Sequence, residues 1–120
     1  MADPKYLYHY TTHDSAQAIV SSGQLHASTD PRDCKLGQGV YFTSKPPQTS
    51  NDHLLYNNYD GSARHHTAKV ESFIRVDASK VGAYVDGRDR LRAREVFMVP
   101  GNVDLNGAGV KTGDRKRYAH

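Results

Sequence analysis

Three side chains of this sequence are of types that can take part in catalysis. His9 lies near the end of a first alternating run, Tyr41 follows two glycines, and Glu95 comes late in the chain. A carboxylate can stabilise an oxocarbenium-like transition state of the kind formed when a glycosidic bond breaks. An aromatic ring and main-chain amide groups can hold the leaving group in a reactive position. A histidine and a glutamate can alternatively act as the acid and base of a small ribonuclease. The elements around the three residues must position them for either chemistry.

The tyrosine belongs to the segment 37–43, which reads Gly-Gln-Gly-Val-Tyr-Phe-Thr. Glycine tolerates positive φ and leaves space for a ligand to approach the main chain. The β-forming residues that follow predict a buried strand. In such a strand Tyr41 and Thr43 lie on one face. Val40 and Phe42 lie on the other face and hold the strand in the core. The pattern therefore predicts a phenol beside a glycine-lined cleft.

The rest of the chain predicts a single α+β domain built from many short strands and one or two short helices. Asp14 and Gln17 have the spacing of a capping box that opens a helix over 15–22, and Gly23 closes it. A second short helix is predicted within 48–58. The predicted strands are residues 6–11, 24–28, a strand from 40, 70–76, 81–85, 91–99 and 103–105. Such strands predict a compact, split or sandwiched antiparallel sheet.

Composition limits the class of protein. The single Cys34 excludes an internal disulfide, and no apolar run approaches the roughly 20 residues of a membrane span. The first five residues lack the apolar core of a signal peptide. His65 and His66 are adjacent and lack metal-ligand spacing, so no metal site is expected. We therefore expect a soluble monomer with no membrane partner, either cytoplasmic or a domain of a larger secreted protein.

The chain is basic, with a net charge of +3 and a sequence pI near 9.0. This balance is compatible with an anionic partner without requiring nucleic acid. Arg88, Arg90, Arg92 and Arg94 alternate, so an extended chain would place them on one face. That row is either a solvated strand face or a binding surface for an anionic ligand. Residues 106–120 are rich in glycine and basic residues, and we expect them to be mobile.

Three segments in order resemble the His-Tyr-Glu class of ADP-ribosyltransferases, which includes diphtheria toxin and the poly(ADP-ribose) polymerases. They are 8–12 (Tyr-His-Tyr-Thr-Thr), 37–43, and 94–99 (Arg-Glu-Val-Phe-Met-Val). They are similar in particular to the short toxin-associated branch, whose third member is aspartate or glutamate. The resemblance covers residues 6 to about 105. It implies a β-sandwich-like ADP-ribosyltransferase core over 1–105, followed by a basic tail over 106–120.

The resemblance also implies roles for individual residues in binding and cleaving NAD. His9 would hydrogen-bond the adenosine ribose, and the main chain of Tyr10, where many relatives have glycine, would clamp the nicotinamide carboxamide. Tyr41 would pack on the nicotinamide ring. Glu95 would grip the 2′-hydroxyl of the nicotinamide ribose, with Asp104 as the rival third member. Further residues expected to line the NAD cleft are Thr11, Gly39 and Thr43.

The implied activity is mono-ADP-ribosyl transfer from NAD to an unknown protein or nucleic-acid acceptor, with release of nicotinamide. Ala93 stands where arginine-modifying relatives have Glu or Gln, which argues against arginine as the acceptor. Four alternatives stay open. They are an NAD glycohydrolase, a module that binds NAD or ADP-ribose without turnover, a small basic ribonuclease that uses His9 and Glu95, and an RNA 2′-phosphotransferase.

Overall fold

The computed structural model describes residues 3–27, 36–51, 53–54, 57, 67–88 and 95–115, and the statements below concern these residues. Their strands are β1 Tyr6–Thr11, β2 Gln24–Leu25, β3 Gly39–Thr43, β4 Ser72–Asp77, β5 Val85–Asp86, β6 Val96–Pro100, β7 Val103–Asp104 and β8 Lys111–Asp114. Helix α1 is His13–Ser22. Short 3₁₀ turns cover Thr67–Val70 and Ala78–Lys80, and the described residues between 51 and 57 are also helical. None of the helices described here has both the length and the apolar character to cross a membrane.

Six strands form one antiparallel sheet in the order β5-β6-β3-β1-β4-β8, and β2 pairs with β7 in a small second sheet. The predicted α+β class with antiparallel sheets is confirmed. The order places β1, β3 and β6 side by side. These three strands carry or adjoin the three segments that the sequence singled out.

One face of the large sheet carries the main hydrophobic core. Helix α1 and the small sheet contribute to this core through Ile19, Leu25 and Val103, so they cover that face. Burying one such large aliphatic or aromatic side chain contributes about 1.5–3 kcal/mol. The sheet residues in this core are Leu7, Val40, Phe42, Ile74, Val76, Phe97 and Val99. The predicted alternation in β3 is therefore confirmed, because Val40 and Phe42 are the residues of that strand in this core.

The predicted start of helix α1 was wrong by two residues. Thr12 is the N-cap, and its hydroxyl accepts a hydrogen bond from the Ser15 N–H at 3.2 Å. Asp14 lies inside the first turn instead of capping it. The predicted end is confirmed, because Gly23 adopts φ 75° and its N–H donates to the Ile19 carbonyl at 2.9 Å. The Thr12 hydroxyl, and not the Asp14 carboxylate, therefore caps the free N–H groups at the start of the helix.

Several predicted strands are shorter or shifted in the structure. The segment predicted over 81–85 contributes only Val85, the first residue of the strand Val85–Asp86, and the segment over 24–28 contributes only Gln24–Leu25. The strand predicted over 91–99 begins at Val96, while residues 89–94 lie outside the described residues. The observed strand boundaries differ from the predicted ones because a strand ends where the neighbouring strand no longer pairs with it.

The expectation of a mobile tail over 106–120 stays a prediction, but Lys111–Asp114 forms a strand that the sequence did not indicate. Strand β8 pairs with β4 at the edge of the large sheet. Arg115 follows it and is only 3% exposed. Its guanidinium donates to the Pro47, Thr49 and Val70 carbonyls and to the Asn51 side chain. Residues 116–120 lie outside the described residues, and the division of the chain at residue 105 stays a prediction.

Candidate functional site

The sheet order brings the three predicted segments together beside the C-terminal end of β3. His9 lies in β1 and Tyr41 in β3, and Glu95 lies one residue ahead of β6. Tyr8 and Val96 both lie opposite Thr43, one from each neighbouring strand. Because adjacent strands are about 4.8 Å apart, segments separated by 30 to 50 residues in the chain meet around one short strand.

The His9 imidazole bridges the point where β1 and β3 separate. Within the described strands, the register of this pair is Tyr8 opposite Thr43, and the ladder does not continue to Tyr41. The Nδ1–H of His9 instead donates to the Tyr41 carbonyl at 2.9 Å, and the ring contacts Phe42 edge-on. Burial lowers the pKa of His9, and the hydrogen bond to Tyr41 only partly opposes this shift. The neutral ring with its proton on Nδ1 presents Nε2 as a hydrogen-bond acceptor.

The Tyr41 phenol folds back onto the loop that precedes β3. Its oxygen accepts a hydrogen bond from the Leu36 N–H at 2.8 Å, and its hydroxyl donates to the Gly37 carbonyl at 2.7 Å. Tyr41 lies on the same face as Tyr8, so its ring and the imidazole of His9 lie on opposite faces of the sheet. The structure thus brings His9 to the main chain of Tyr41 and not to its ring.

The two glycines of the segment serve different needs. Gly37 has φ 103°, in the left-handed region that side chains other than glycine rarely adopt. Gly39 lies so close to β6 that a Cβ atom would clash with the Met98 side chain and with the Val99 carbonyl oxygen. The close approach at Gly39 is therefore to a neighbouring strand. The expectation that it leaves space for a ligand stays a prediction.

The side chain of Tyr10 is buried, and its hydroxyl donates to the Lys45 carbonyl at 2.6 Å. Its ring stacks with that of Tyr8, with centroids 6.1 Å apart. Burial raises the pKa of Tyr10. The expectation that the main chain of Tyr10 clamps the nicotinamide stays a prediction. Thr11 is partly buried at the end of β1, opposite Ser72 of β4.

The Glu95 carboxylate forms an ion pair with Lys45. Its Oε2 lies 3.2 Å from the Nζ of Lys45, and the two side chains are 38% and 30% exposed, respectively. An ion pair with this much solvent contact contributes only about 0.2–1 kcal/mol to stability. The ion pair with Lys45 thus orients the Glu95 carboxylate, which remains accessible to solvent.

Asn57 is a site residue that the sequence did not indicate. It is 2% exposed, and its Oδ1 accepts from the Glu95 N–H at 2.7 Å. Its Nδ2 donates to the Glu95 carbonyl at 3.2 Å and to the Thr43 hydroxyl oxygen at 3.1 Å. The same Thr43 oxygen accepts from the Lys45 N–H at 3.1 Å. No local pattern marks a single asparagine within a predicted helix as a partner of a residue 38 positions later.

The rival acid Asp104 lies in β7 of the small sheet, opposite Gln24. It is exposed, and its carboxylate accepts from the Asn106 N–H at 2.9 Å. It therefore belongs to a different sheet from His9 and Tyr41.

Arg88, the first member of the predicted arginine row, forms a bidentate ion pair with Asp86, and its guanidinium lies over the Phe97 ring. Arg90, Arg92 and Arg94 lie outside the described residues, as do Cys34 and His65–His66. Among the residues that are described, no group of three or more His, Cys, Asp and Glu side chains could hold a metal ion.

A family model described as an HYD1 signature containing ADP-ribosyltransferase matches residues 7–107 of the chain. No curated protein and no solved structure matches this chain. The matched range includes His9, Tyr41, Glu95 and Asp104.

Proposed function

The chain belongs to the family of ADP-ribosyltransferases that contain the HYD1 signature, and we propose that it transfers a single ADP-ribose from NAD to an acceptor with release of nicotinamide. The observation that carries the proposal is the sheet order. It aligns His9, the main chain of Tyr41 and Glu95 on β1, β3 and the entry to β6. A histidine, an aromatic residue and a carboxylate around one short strand match the chemistry of cleaving a ribosyl bond.

The separation of β1 from β3 supports a binding position for NAD. We assign the adenosine ribose to His9, whose neutral Nε2 can accept a hydrogen bond from a hydroxyl group. We assign the nicotinamide to the main chain of Tyr10, past the last paired position of β1 with β3, and to the ring of Tyr41. Two hydrogen bonds already fix that ring. Stacking would then require little loss of side-chain freedom. Thr11 and Gly39 are proposed to contribute main-chain contacts.

The proposed catalytic group is the Glu95 carboxylate. Cleavage of the bond between nicotinamide and ribose gives the ribose ring a partial positive charge, and a fixed carboxylate stabilises that charge. Lys45 contacts Oε2. We therefore expect Oε1 to accept the hydrogen bond from the 2′-hydroxyl. Thr43 is engaged by Asn57 and by the Lys45 N–H, so we propose that it supports Glu95 instead of contacting NAD.

The proposal is tested by incubating the protein with NAD labelled in its adenosine half. Free nicotinamide and label on added protein or nucleic acid are measured together. Glu95→Gln should keep NAD binding, measured by calorimetry, and should lose turnover by about 100-fold or more, as expected when a transition-state contact is removed. Asp104→Asn is the matched control and should keep wild-type turnover.

Each other outcome has a definite meaning. Loss of turnover in Asp104→Asn with retention in Glu95→Gln would transfer the catalytic role to Asp104. Nicotinamide release with no labelled macromolecule would identify water as the acceptor and the protein as an NAD glycohydrolase. Binding of NAD without nicotinamide release, or cleavage of RNA that depends on His9 and Glu95, would refute the transferase proposal.

A further inference from the structure

Asn57 holds the main chain of Glu95, and we propose that it is the positioning residue that sets the Glu95 carboxylate for cleavage of NAD. The inference rests on the proposed function and adds a residue to it. A carboxamide offers an acceptor and two donor hydrogens. Asn57 uses the acceptor on the Glu95 N–H at 2.7 Å and Nδ2 on the Glu95 carbonyl at 3.2 Å. One side chain therefore engages both polar groups of the Glu95 main chain.

The position of Glu95 explains why such a clamp is needed. The ladder between β3 and β6 begins with Val96 opposite Thr43. Glu95 lies one residue before that ladder, so strand pairing does not fix its main chain. Residues just outside a ladder are less restrained than those within it. The Asn57 carboxamide supplies the hydrogen bonds that a further strand position would otherwise have supplied.

A second set of contacts connects this clamp to the carboxylate. Asn57 Nδ2 also donates to Oγ1 of Thr43 at 3.1 Å, and the same oxygen accepts from the Lys45 N–H. The Nζ of Lys45 lies 3.2 Å from the Glu95 carboxylate. Asn57 thus fixes the main chain of Glu95, and through Thr43 it contacts the residue that holds the carboxylate. The arrangement restrains both ends of the catalytic side chain.

Burial indicates that these bonds, and not the volume of the side chain, account for an asparagine at this position. Asn57 is 2% exposed, and burying an amide costs more than burying an aliphatic side chain unless specific hydrogen bonds offset the cost. A leucine has the same branched outline, with two methyl groups in place of the amide oxygen and nitrogen, and it forms none of these hydrogen bonds. Two of its hydrogen bonds end on Glu95, so the direct effect of the Asn57 side chain is on the position of that residue.

A shift of about 1 Å in a catalytic group can cost about 100-fold in rate. We therefore expect Asn57→Leu to lower kcat for nicotinamide release by about 10- to 100-fold, with the KM for NAD within about threefold of wild type. Asn57→Asp keeps the acceptor for the Glu95 N–H and loses the donor. Its kcat should be intermediate, and its ratio to wild type should rise as the pH is lowered, because a protonated carboxyl regains one donor.

A second readout does not depend on activity. The Glu95 amide should exchange slowly with solvent in the wild-type protein, because it donates to a buried oxygen. In Asn57→Leu it should exchange at least 10-fold faster, measured by NMR, relative to amides in the middle of β6. The matched control is Asn51→Leu, which removes another amide that contacts Arg115 and not Glu95. It should leave kcat and the Glu95 amide unchanged.

The outcomes separate this inference from the proposed function. A folded Asn57→Leu with wild-type kcat and a protected Glu95 amide overturns the inference, while nicotinamide release by wild type still supports the transferase. If wild type releases no nicotinamide, the proposed function fails, and the exchange experiment still shows whether Asn57 holds Glu95. If Asn57→Leu does not fold, Asn57→Asp decides, because an unchanged kcat at every pH would refute a positioning role.

Discussion

Replacing His9 by alanine should change stability and NAD binding by separately predictable amounts. The substitution removes the 2.9 Å hydrogen bond to the Tyr41 carbonyl, worth about 1 kcal/mol net. It also removes the edge contact with Phe42, worth about 1 kcal/mol. We therefore expect the free energy of unfolding to fall by about 2 kcal/mol. With an unfolding entropy of roughly 2.1 cal/mol/K per residue, this corresponds to a Tm lower by about 8 °C.

The same variant should bind NAD more weakly and should keep the rate of nicotinamide release at saturating NAD. One hydrogen bond from the adenosine ribose to Nε2 contributes about 1–1.4 kcal/mol, so the KM for NAD should rise about 5- to 10-fold. The kcat should stay within about twofold, because His9 is assigned to a part of NAD that does not react. Glu95→Gln should show the opposite pattern, with NAD binding retained and kcat lost.

The assay combines urea unfolding followed by circular dichroism with steady-state release of nicotinamide, well below the Tm of the variant. His26→Ala is the control, because His26 is an exposed histidine outside the proposed site. It should change neither quantity. Equal losses of kcat in His9→Ala and Glu95→Gln would refute the assignment of roles. A Tm unchanged by His9→Ala would refute the claim that the imidazole replaces a ladder bond at Tyr41.

Three further predictions concern pH and packing. Burial lowers the pKa of His9 in the folded protein. As the pH falls, His9 is therefore protonated in the unfolded chain before it is protonated in the folded protein. The free energy of unfolding should then be greatest above about pH 6.5 and fall as the pH drops below it, less steeply in His9→Ala; equal slopes would contradict this. Arg115→Leu should lower the free energy of unfolding, measured by urea titration, by about 3 kcal/mol, because four acceptors lose their donor. The control Lys111→Leu, at an exposed residue, should lower it by less than about 0.5 kcal/mol. Similar small losses in both variants would show that Arg115 does not stabilise the fold. Gly39→Ala should lower the free energy of unfolding by about 3 kcal/mol through its clash with β6. Gly101→Ala should cost only about 1 kcal/mol of backbone strain, and equal losses would refute the close approach at β6.

Local patterns in the sequence predicted the elements that the site uses. The alternation of Tyr6–Thr11 predicted β1 with its observed bounds, and the β-forming residues after Gly39 predicted β3 and its buried face. Gly23 predicted the end of α1. These features depend on neighbouring residues, on side-chain alternation and on positive φ, so they can be read from a single stretch of chain. The three motifs that predicted the family are of the same local kind.

The contacts around Glu95 depend on tertiary structure. Lys45 and Asn57 approach it from 50 and 38 positions earlier in the chain. The pairing of β3 with β6 brings the segment of Lys45 beside Glu95, and the hydrogen bonds of Asn57 to Thr43 and Glu95 place it against both strands. The side of the sheet that each residue faces also depends on register, which puts the Tyr41 ring and the His9 imidazole on opposite faces.

The C-terminal segment shows the same dependence most clearly. Lys111–Asp114 contains one glycine, two charged residues and a single threonine, and this composition gives little preference for a strand. It forms β8 because the edge of β4 offers unpaired main-chain groups. The adjacent Arg115 places its guanidinium among carbonyl groups from residues 47, 49 and 70. The sequence by itself determined the local elements and the candidate residues, whereas long-range pairing of main-chain groups decided which of these residues meet and which partners hold them.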